Sequence, residues 1–359
     1  MPERVAGLAL SRRLYLEAVR PILDTCFPRF EHAAALIGTG SEVLGYDDAI
    51  STDHHWGPRV QLFVRHLDGA DDVASTLARD LPNEFLGYPT NFGEADELGV
   101  RLLAPVERGP VAHRVEILET RSYLRERLGF DPLDGIAAAD WLLTPSEILL
   151  ELTSGDVFAD PVGDLTAARH ALAFYPDNVW RVVMAGWWRR ISQLEHFVGR
   201  TGSRGDELGS RVIAASLARD LMRLAFVQER RYAPYAKWLG TAYAELDRPE
   251  AAALAAALDA RDWPAREIAL AEAYRLVAEA HNALGVTQPL DPRPRPFHGR
   301  AFLVLDAGRF ATALAGPTVG AIDAVTDNTD VLTANALWRR LAGLYDRTEI
   351  DGGDPRDGM

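Results

Sequence analysis

The sequence predicts an α+β domain, a mixed sheet with helices, followed by an all-α helical bundle. Two apolar runs, Ala33 to Ile37 and Val60 to Val64, bracket a Gly-Thr-Gly-Ser turn and a polar excursion, the pattern of strand, tight turn, short helix and second strand. A third strand signal, Val115-Glu116-Ile117, sets a carboxylate between two branched apolar residues, so Val115 and Ile117 face one way and Glu116 the other. From Leu165 onward the texture changes to long, alanine-rich segments with helical periodicity, separated by proline or glycine.

In chain order, Ala6 to Phe27 reads as one amphipathic helix, with Leu8, Leu10, Leu14, Leu16, Val19 and Ile22 on a broad apolar face that packs on the sheet. Asp71 to Leu81 is a second helix, closed by Pro82. The glycine- and proline-rich stretch from Asn83 to Pro110 is an insertion whose Phe85, Tyr88 and Phe92 either pack within it or cover the site. After the strand at His113 to Glu119 come helices at Tyr123 to Leu128 and Asp140 to Leu143. A further helix starts at Thr144-Pro145-Ser146-Glu147 and ends near Thr153. GDVFAD is a short closing strand, which sets the domain boundary near Pro161: residues 1–160 form the sheet domain and 161–345 the bundle, with a disordered tail at 346–359. Bundle helices are expected at 165–175, 179–198, 207–228, 239–246, 250–261 and 263–284, with one strand at 301–305.

The chain has 359 residues, enough for two domains, and 48% of them are apolar, as in an ordinary globular protein. A net charge of -14 argues against an extended nucleic-acid partner and favours a small ligand. The single cysteine, Cys26, excludes an intramolecular disulfide and is expected to be a buried helix residue. With no leader-like apolar core and no apolar run of membrane-spanning length, a soluble, cytoplasmic protein is expected. Oligomeric state is not readable.

The chemistry gathers between Leu36 and Val64. Gly38 and Gly40 let backbone N–H groups approach a phosphate, with the Ser41 hydroxyl beside them. Asp53 and His55, two apart at the start of the second strand, share a face. Gly40-Ser41, Gly45 and Ser51-Thr52-Asp53 together resemble the signature of the DNA polymerase β-like nucleotidyltransferase superfamily. Within it, STDHHWGPR resembles the DUF4037 family, as do VFAD, YPDNVWR, EHFVGR, DELGSR, RRYAPYAKW and TDNTDVL, which together span most of the chain.

The resemblance implies a nucleotidyltransferase-type sheet with a helical domain arranged as in kanamycin nucleotidyltransferase. It also implies a metal-dependent transfer of a nucleoside monophosphate from a nucleoside triphosphate (NTP) to a hydroxyl of a small molecule or protein, the acceptor being unidentified. Asp53 and Glu116 become the catalytic carboxylates, with Glu119 the alternative to Glu116. Asp53, His55 and Glu116 become ligands of a divalent metal, Mg or Mn, and Gly40, Ser41 and Lys237 contacts to the nucleotide. Lys237, in a chain where lysine is scarce, otherwise reads as a solvated helix residue. His55 stands where the family has a second carboxylate, and imidazole suits manganese or zinc better than magnesium. Asp47 or Asp48 can compensate from the preceding turn. The alternative is a non-catalytic nucleotide-binding or regulatory protein with a degenerate metal site. Arg190 and His196 have the spacing of small helical ribonuclease domains of the HEPN type, a spacing that chance produces often in helices.

Overall fold

The computed structural model describes residues 4–48, 50, 56–97, 99–315 and 319–333. By its contacts the chain divides into two compact units, Met1–Ile136 with Ile148–Ala173, and Ala137–Glu147 with Phe174–Met359. The first unit runs on past residue 160 because Arg169 donates to the carbonyls of Leu152, Thr153 and Ser154, tying the following helix back to the chain before the closing strand. Asp53, His55 and the expected tail at 346–359 lie outside the described residues.

The first unit opens with α1 (Gly7–Leu14), a π-helical turn Tyr15–Val19 and α2 (Arg20–Cys26). This is the single helix expected from sequence, with one local change. Leu10, Leu14, Tyr15, Ala18, Val19 and Leu23 are buried at helical spacing, while Leu16 departs from the expected apolar face and is exposed. Within that stripe the Arg20 N–H donates to the Tyr15 carbonyl and closes the π turn. Cys26 corrects the sequence reading: it is exposed on the last turn of α2, while Leu23 takes the buried position.

Strand β1 (Ala33–Leu36), α3 (Ser41–Leu44) and β2 (Arg59–Val64) follow, then α4 (Ala70–Asp80) and a small hairpin of β3 (Glu84–Phe85) and β4 (Tyr88–Pro89) inside the expected insertion. After β5 (Arg114–Glu119) and α5 (Thr120–Leu128), the chain makes α6 (Ala138–Leu143), which groups with the second unit, α7 (Ser146–Thr153), β6 (Asp156–Ala159) and α8 (Asp164–Ala171). The sheet order is β5-β2-β1-β6, with β1 antiparallel to both neighbours and β2 parallel to β5. One face, carrying Ala34, Val60, Leu62 and Val115, packs on Leu14, Val19, Leu23, Val73 and Leu77 as the unit's apolar core. The opposite face is polar.

The second unit is a bundle of α9 (Asp177–Leu194), α10 (Phe197–Gly202), α11 (Glu207–Gln228), α12 (Ala236–Ala244), α13 (Ala251–Asp259) and α14 (Trp263–Ala283). The expected strand at 301–305 is shorter, β8 (Leu303–Val304), paired antiparallel with β7 (Arg295–Pro296); α15 (Gly308–Ala315), α16 (Ile322–Val325) and α17 (Thr329–Thr333) complete it. Trp180, Trp187 and Trp188 of α9 are buried, and Trp188 stacks on Phe310 with ring centroids 4.6 Å apart. Asp323 accepts from the Ser146 N–H and hydroxyl, both at 3.0 Å, and Asp327 is paired with Arg219, so these aspartates cap and fasten. Among the described residues no helix is long and apolar enough to cross a membrane.

Just past α9, Glu195 holds the segment after β8: its carboxylate accepts from the N–H groups of Leu305 at 2.7 Å, Asp306 at 3.1 Å and Ala307 at 2.9 Å. Burial outweighs those bonds and pushes the Glu195 carboxyl up to about 7 from its ordinary 4.5. The folded state thus holds this proton more tightly than the unfolded chain does. The group's stabilisation is complete below pH 4.5 and is lost as pH rises through about 7. Urea unfolding from pH 5 to 8 should therefore show wild type losing stability relative to Glu195→Gln, by up to about 3 kcal/mol across the window. Other titrating groups cancel in that difference, and parallel curves would contradict the assignment.

Candidate functional site

The polar face of the sheet is built by strand alternation. Arg59 pairs with Arg114 across β2 and β5, Gln61 with Glu116, and Ala35 of β1 with Gln61, so these side chains share one face. Since β1 runs antiparallel to β2, and β2 parallel to β5, the C-terminal end of β1 and the N-terminal ends of β2 and β5 meet at one edge. The Gly38-Thr39-Gly40-Ser41 turn leaves β1 at that edge.

A buried ion pair fixes the turn. Arg59 and Glu42, with side chains 10% and 5% exposed, lie 2.6 Å apart, and the Arg59 guanidinium also donates to the Thr39 carbonyl at 2.8 Å. Gly40 has φ +137, and a Cβ there would stand 2.6 Å from a Glu42 carboxylate oxygen and 2.7 Å from the Arg59 guanidinium. Gly38 has φ +91, and its Cβ would meet the Tyr123 hydroxyl at 2.8 Å. The Gly38 N–H donates to the Glu151 carbonyl at 2.9 Å, and the Ile37 N–H to Gln61 Oε1 at 2.9 Å. The turn is thus held by β2, α5 and α7 together.

Glu116 lies two strands away on β5, on the same face, 40% exposed, with one carboxylate oxygen 3.0 Å from Arg114. Glu119 instead accepts from the N–H groups of Arg121 and Ser122 and caps α5. Ser41 is part-exposed at the first turn of α3. Tyr123 packs edge-on against Phe63 at 5.2 Å, and burial pushes its hydroxyl up to about 12, so it stays protonated beside the turn. Arg127 pairs with the Glu151 carboxylate, and the Nε atoms of both Arg59 and Arg127 are buried without a hydrogen-bond partner.

Gly40, Ser41 and Glu116 therefore lie at one edge and face of the sheet, while Asp53 and His55 lie outside the described residues. A part-exposed carboxylate such as Glu116 suits a hard divalent cation. Among the described residues no group of three His, Cys, Asp or Glu side chains gathers to hold a metal. Asp47 does not serve as a spare ligand: its Oδ2 accepts from the Gly7 N–H and Trp56 Nε1 and pairs with Arg4, fastening α1 to the loop before β2. Trp56 is correspondingly buried and edge-on to Tyr88 at 5.1 Å. In the second unit, Lys237, the chain's one lysine, is exposed on α12 with its ammonium 4.8 Å from the Trp238 ring centroid. Arg190 is committed to the buried Asp220 carboxylate at 2.8 Å and to the Ala324 carbonyl, unlike a catalytic arginine.

Sequence reading did not single out Glu42, Arg59, Gln61 or Tyr123. Arg59 does close the phrase STDHHWGPR, and its place two residues before Gln61 on the strand that pairs with the Glu116 strand was the available signal.

Residues 141–239 match the family described as Domain of unknown function (DUF4037), which bears out the expected kinship over that stretch, from α6 to α12. The chain is also similar to a nucleotidyltransferase-like protein from Exiguobacterium sibiricum 255-15, with 14% identity over 81% of this chain and 82% of that one and a TM-score of 0.32. No curated protein matches it.

The Arg59–Glu42 pair makes the turn's architecture testable. Gly40→Ala should destabilise the protein by about 1 to 3 kcal/mol, from a strained backbone and displaced partners. Arg59→Met should cost about 3 to 5 kcal/mol by stranding the Glu42 charge, while the double variant Glu42→Gln/Arg59→Met should cost clearly less than the two singles added. Additive losses in denaturant unfolding would mean that the pair is not coupled.

Proposed function

We propose that this chain is a nucleotidyltransferase that moves a nucleoside monophosphate from an NTP to a hydroxyl of a small molecule or protein. The observation that carries the reading is the shared edge: the glycine turn with Ser41 and the part-exposed carboxylate of Glu116 stand at the same end of one sheet, with Gln61 of β2 between them, in register with Glu116 and accepting from the Ile37 N–H.

In this reading the backbone of Gly40 and Ser41, with the Ser41 hydroxyl, receives the phosphates, and Arg59, paired with Glu42, holds the turn in place behind them. Glu116 takes the proton of the acceptor hydroxyl as its oxygen bonds the α-phosphorus and pyrophosphate leaves. Asp53, His55 and Glu116 would hold a divalent metal, magnesium or manganese, which neutralises charge on the phosphates when bound. The runner-up is a non-catalytic nucleotide-binding protein. It is favoured by the Glu116–Arg114 ion pair, which already neutralises the carboxylate the reaction needs.

Calorimetric titration of a non-hydrolysable triphosphate analogue separates the two. The transferase reading expects metal-dependent binding, tighter with manganese than magnesium, a shift toward magnesium in His55→Asp, and about tenfold or greater weakening of the metal-dependent part in Glu116→Gln. Equal, metal-independent binding in all three proteins would retire it in favour of the binding-only reading.

A further inference from the structure

The second unit contains a cavity of about 370 Å³ between the end of α9 and the β7–β8 ribbon, within the range of roughly 300 to 1,000 Å³ typical of small-molecule sites. Three groups with donor nitrogens line it: His196, Arg295 and His298. Among the described residues the His196 and His298 ring nitrogens make no hydrogen bond, and Arg295 has only a distant carboxylate, Asp306 at 3.9 Å. His196 is held by ring contacts instead. It stacks on Phe297 with centroids 4.7 Å apart and planes 15° apart, and lies tilted on Phe197 at 4.1 Å, which leaves the ring edge for other partners.

Charges of both signs surround this cavity, and the carboxylates are the more engaged. Asp306 lies 3.9 Å from Arg295 and 3.6 Å from Arg309. His196 binds its proton less readily through burial and then through the nearby Arg200 and His298, so its ring is a hydrogen-bonding partner more than a fixed charge. Of the two lining carboxylates, Glu195 is turned onto three backbone N–H groups, and Asp306 is half-exposed. His298 and Asp306 hold left-handed backbone conformations, φ +48 and +61, which non-glycine residues keep only where the surroundings enforce them.

We propose that this cavity binds a small molecule bearing a phosphate group on an apolar or aromatic body. The donors come from three separate elements, the end of α9, β7 and the turn after it, which suits the tetrahedral oxygens of a phosphate better than a planar carboxylate. Phe297, Pro296 and Val304 supply the apolar wall. This site is independent of the nucleotide reading of the sheet.

The test follows histidine ring resonances of the full chain by NMR, at constant ionic strength, during titration with inorganic phosphate, phenyl phosphate and benzoate. Phenyl phosphate should shift the His196 and His298 signals saturably and bind more tightly than inorganic phosphate or benzoate. Arg295→Ala and His298→Ala should each weaken it about tenfold. The signal of His281, buried in the same unit, reports that the fold of each variant is intact. Shifts that grow linearly without saturating, or unchanged affinity in both variants, would overturn the proposal. Benzoate binding as tightly as phenyl phosphate would overturn its assignment to phosphate.

Discussion

The ion pair between Arg59 and Glu42 is the constraint on which the polar face of the sheet depends. It joins β2 to α3 across the Gly38–Ser41 turn, and through the Thr39 carbonyl it fixes the backbone of the turn itself. Both charges are largely withdrawn from water, an arrangement that rarely gains stability over an apolar pair of similar size but severely penalises the loss of either partner. The two glycines follow from it. Gly40 leaves room for the carboxylate and guanidinium, Gly38 leaves room for the Tyr123 hydroxyl, and both have backbone angles that residues with a Cβ rarely adopt. Geometry of this kind favours one backbone conformation of the turn at some expense in stability, as sites that must position a ligand commonly do.

Along the same face, arginine and glutamate alternate in partnership: Arg59 with Glu42, Arg114 with Glu116, Arg127 with Glu151. The face is close to neutral, so an incoming phosphate meets guanidinium groups already engaged, and must compete with a carboxylate for them. Two of the three, Arg59 and Arg127, keep a buried Nε donor unused. Leaving such a donor unsatisfied costs roughly 1 to 3 kcal/mol, a penalty that a bound acceptor or water would remove.

Much of the fold is legible in the sequence. The strands at 33–36 and 59–64 lie where apolar runs put them, because both are buried throughout, the strand at 114–119 where alternation does, and the long bundle helices where helical periodicity does. Glu116 is legible for the same reason: alternation alone turns it away from the buried Val115. The π turn at Tyr15–Val19 is not legible, because the buried residues through it keep ordinary helical spacing. The identity of each ion-pair partner is not legible. Glu42 and Arg59 lie on different elements, as do Arg127 and Glu151, 24 residues apart in sequence, and nothing in local composition says which charge closes on which once the chain folds. Glu119 has the same composition as a site residue, and only its hydrogen bonds to Arg121 and Ser122 reveal it as a helix cap.

Buried carboxylates are satisfied in two ways in this chain, by a guanidinium or by backbone N–H groups, and the choice decides how much charge each retains. Glu42 is matched by a guanidinium and leaves no local excess of charge. Glu195 is matched by three backbone N–H groups, which carry no net charge, and burial prevails, raising its carboxyl to about 7. At the surface the balance reverses: Asp291, hydrogen-bonded to Arg293 and fully exposed, is held down to about 2. Near neutral pH, therefore, Glu195 supplies only part of a negative charge to the cavity it lines. A carboxylate satisfied by dipoles instead of a countercharge leaves Asp306, 3.9 Å from Arg295 and 3.6 Å from Arg309, as the acidic side chain that both guanidinium groups share.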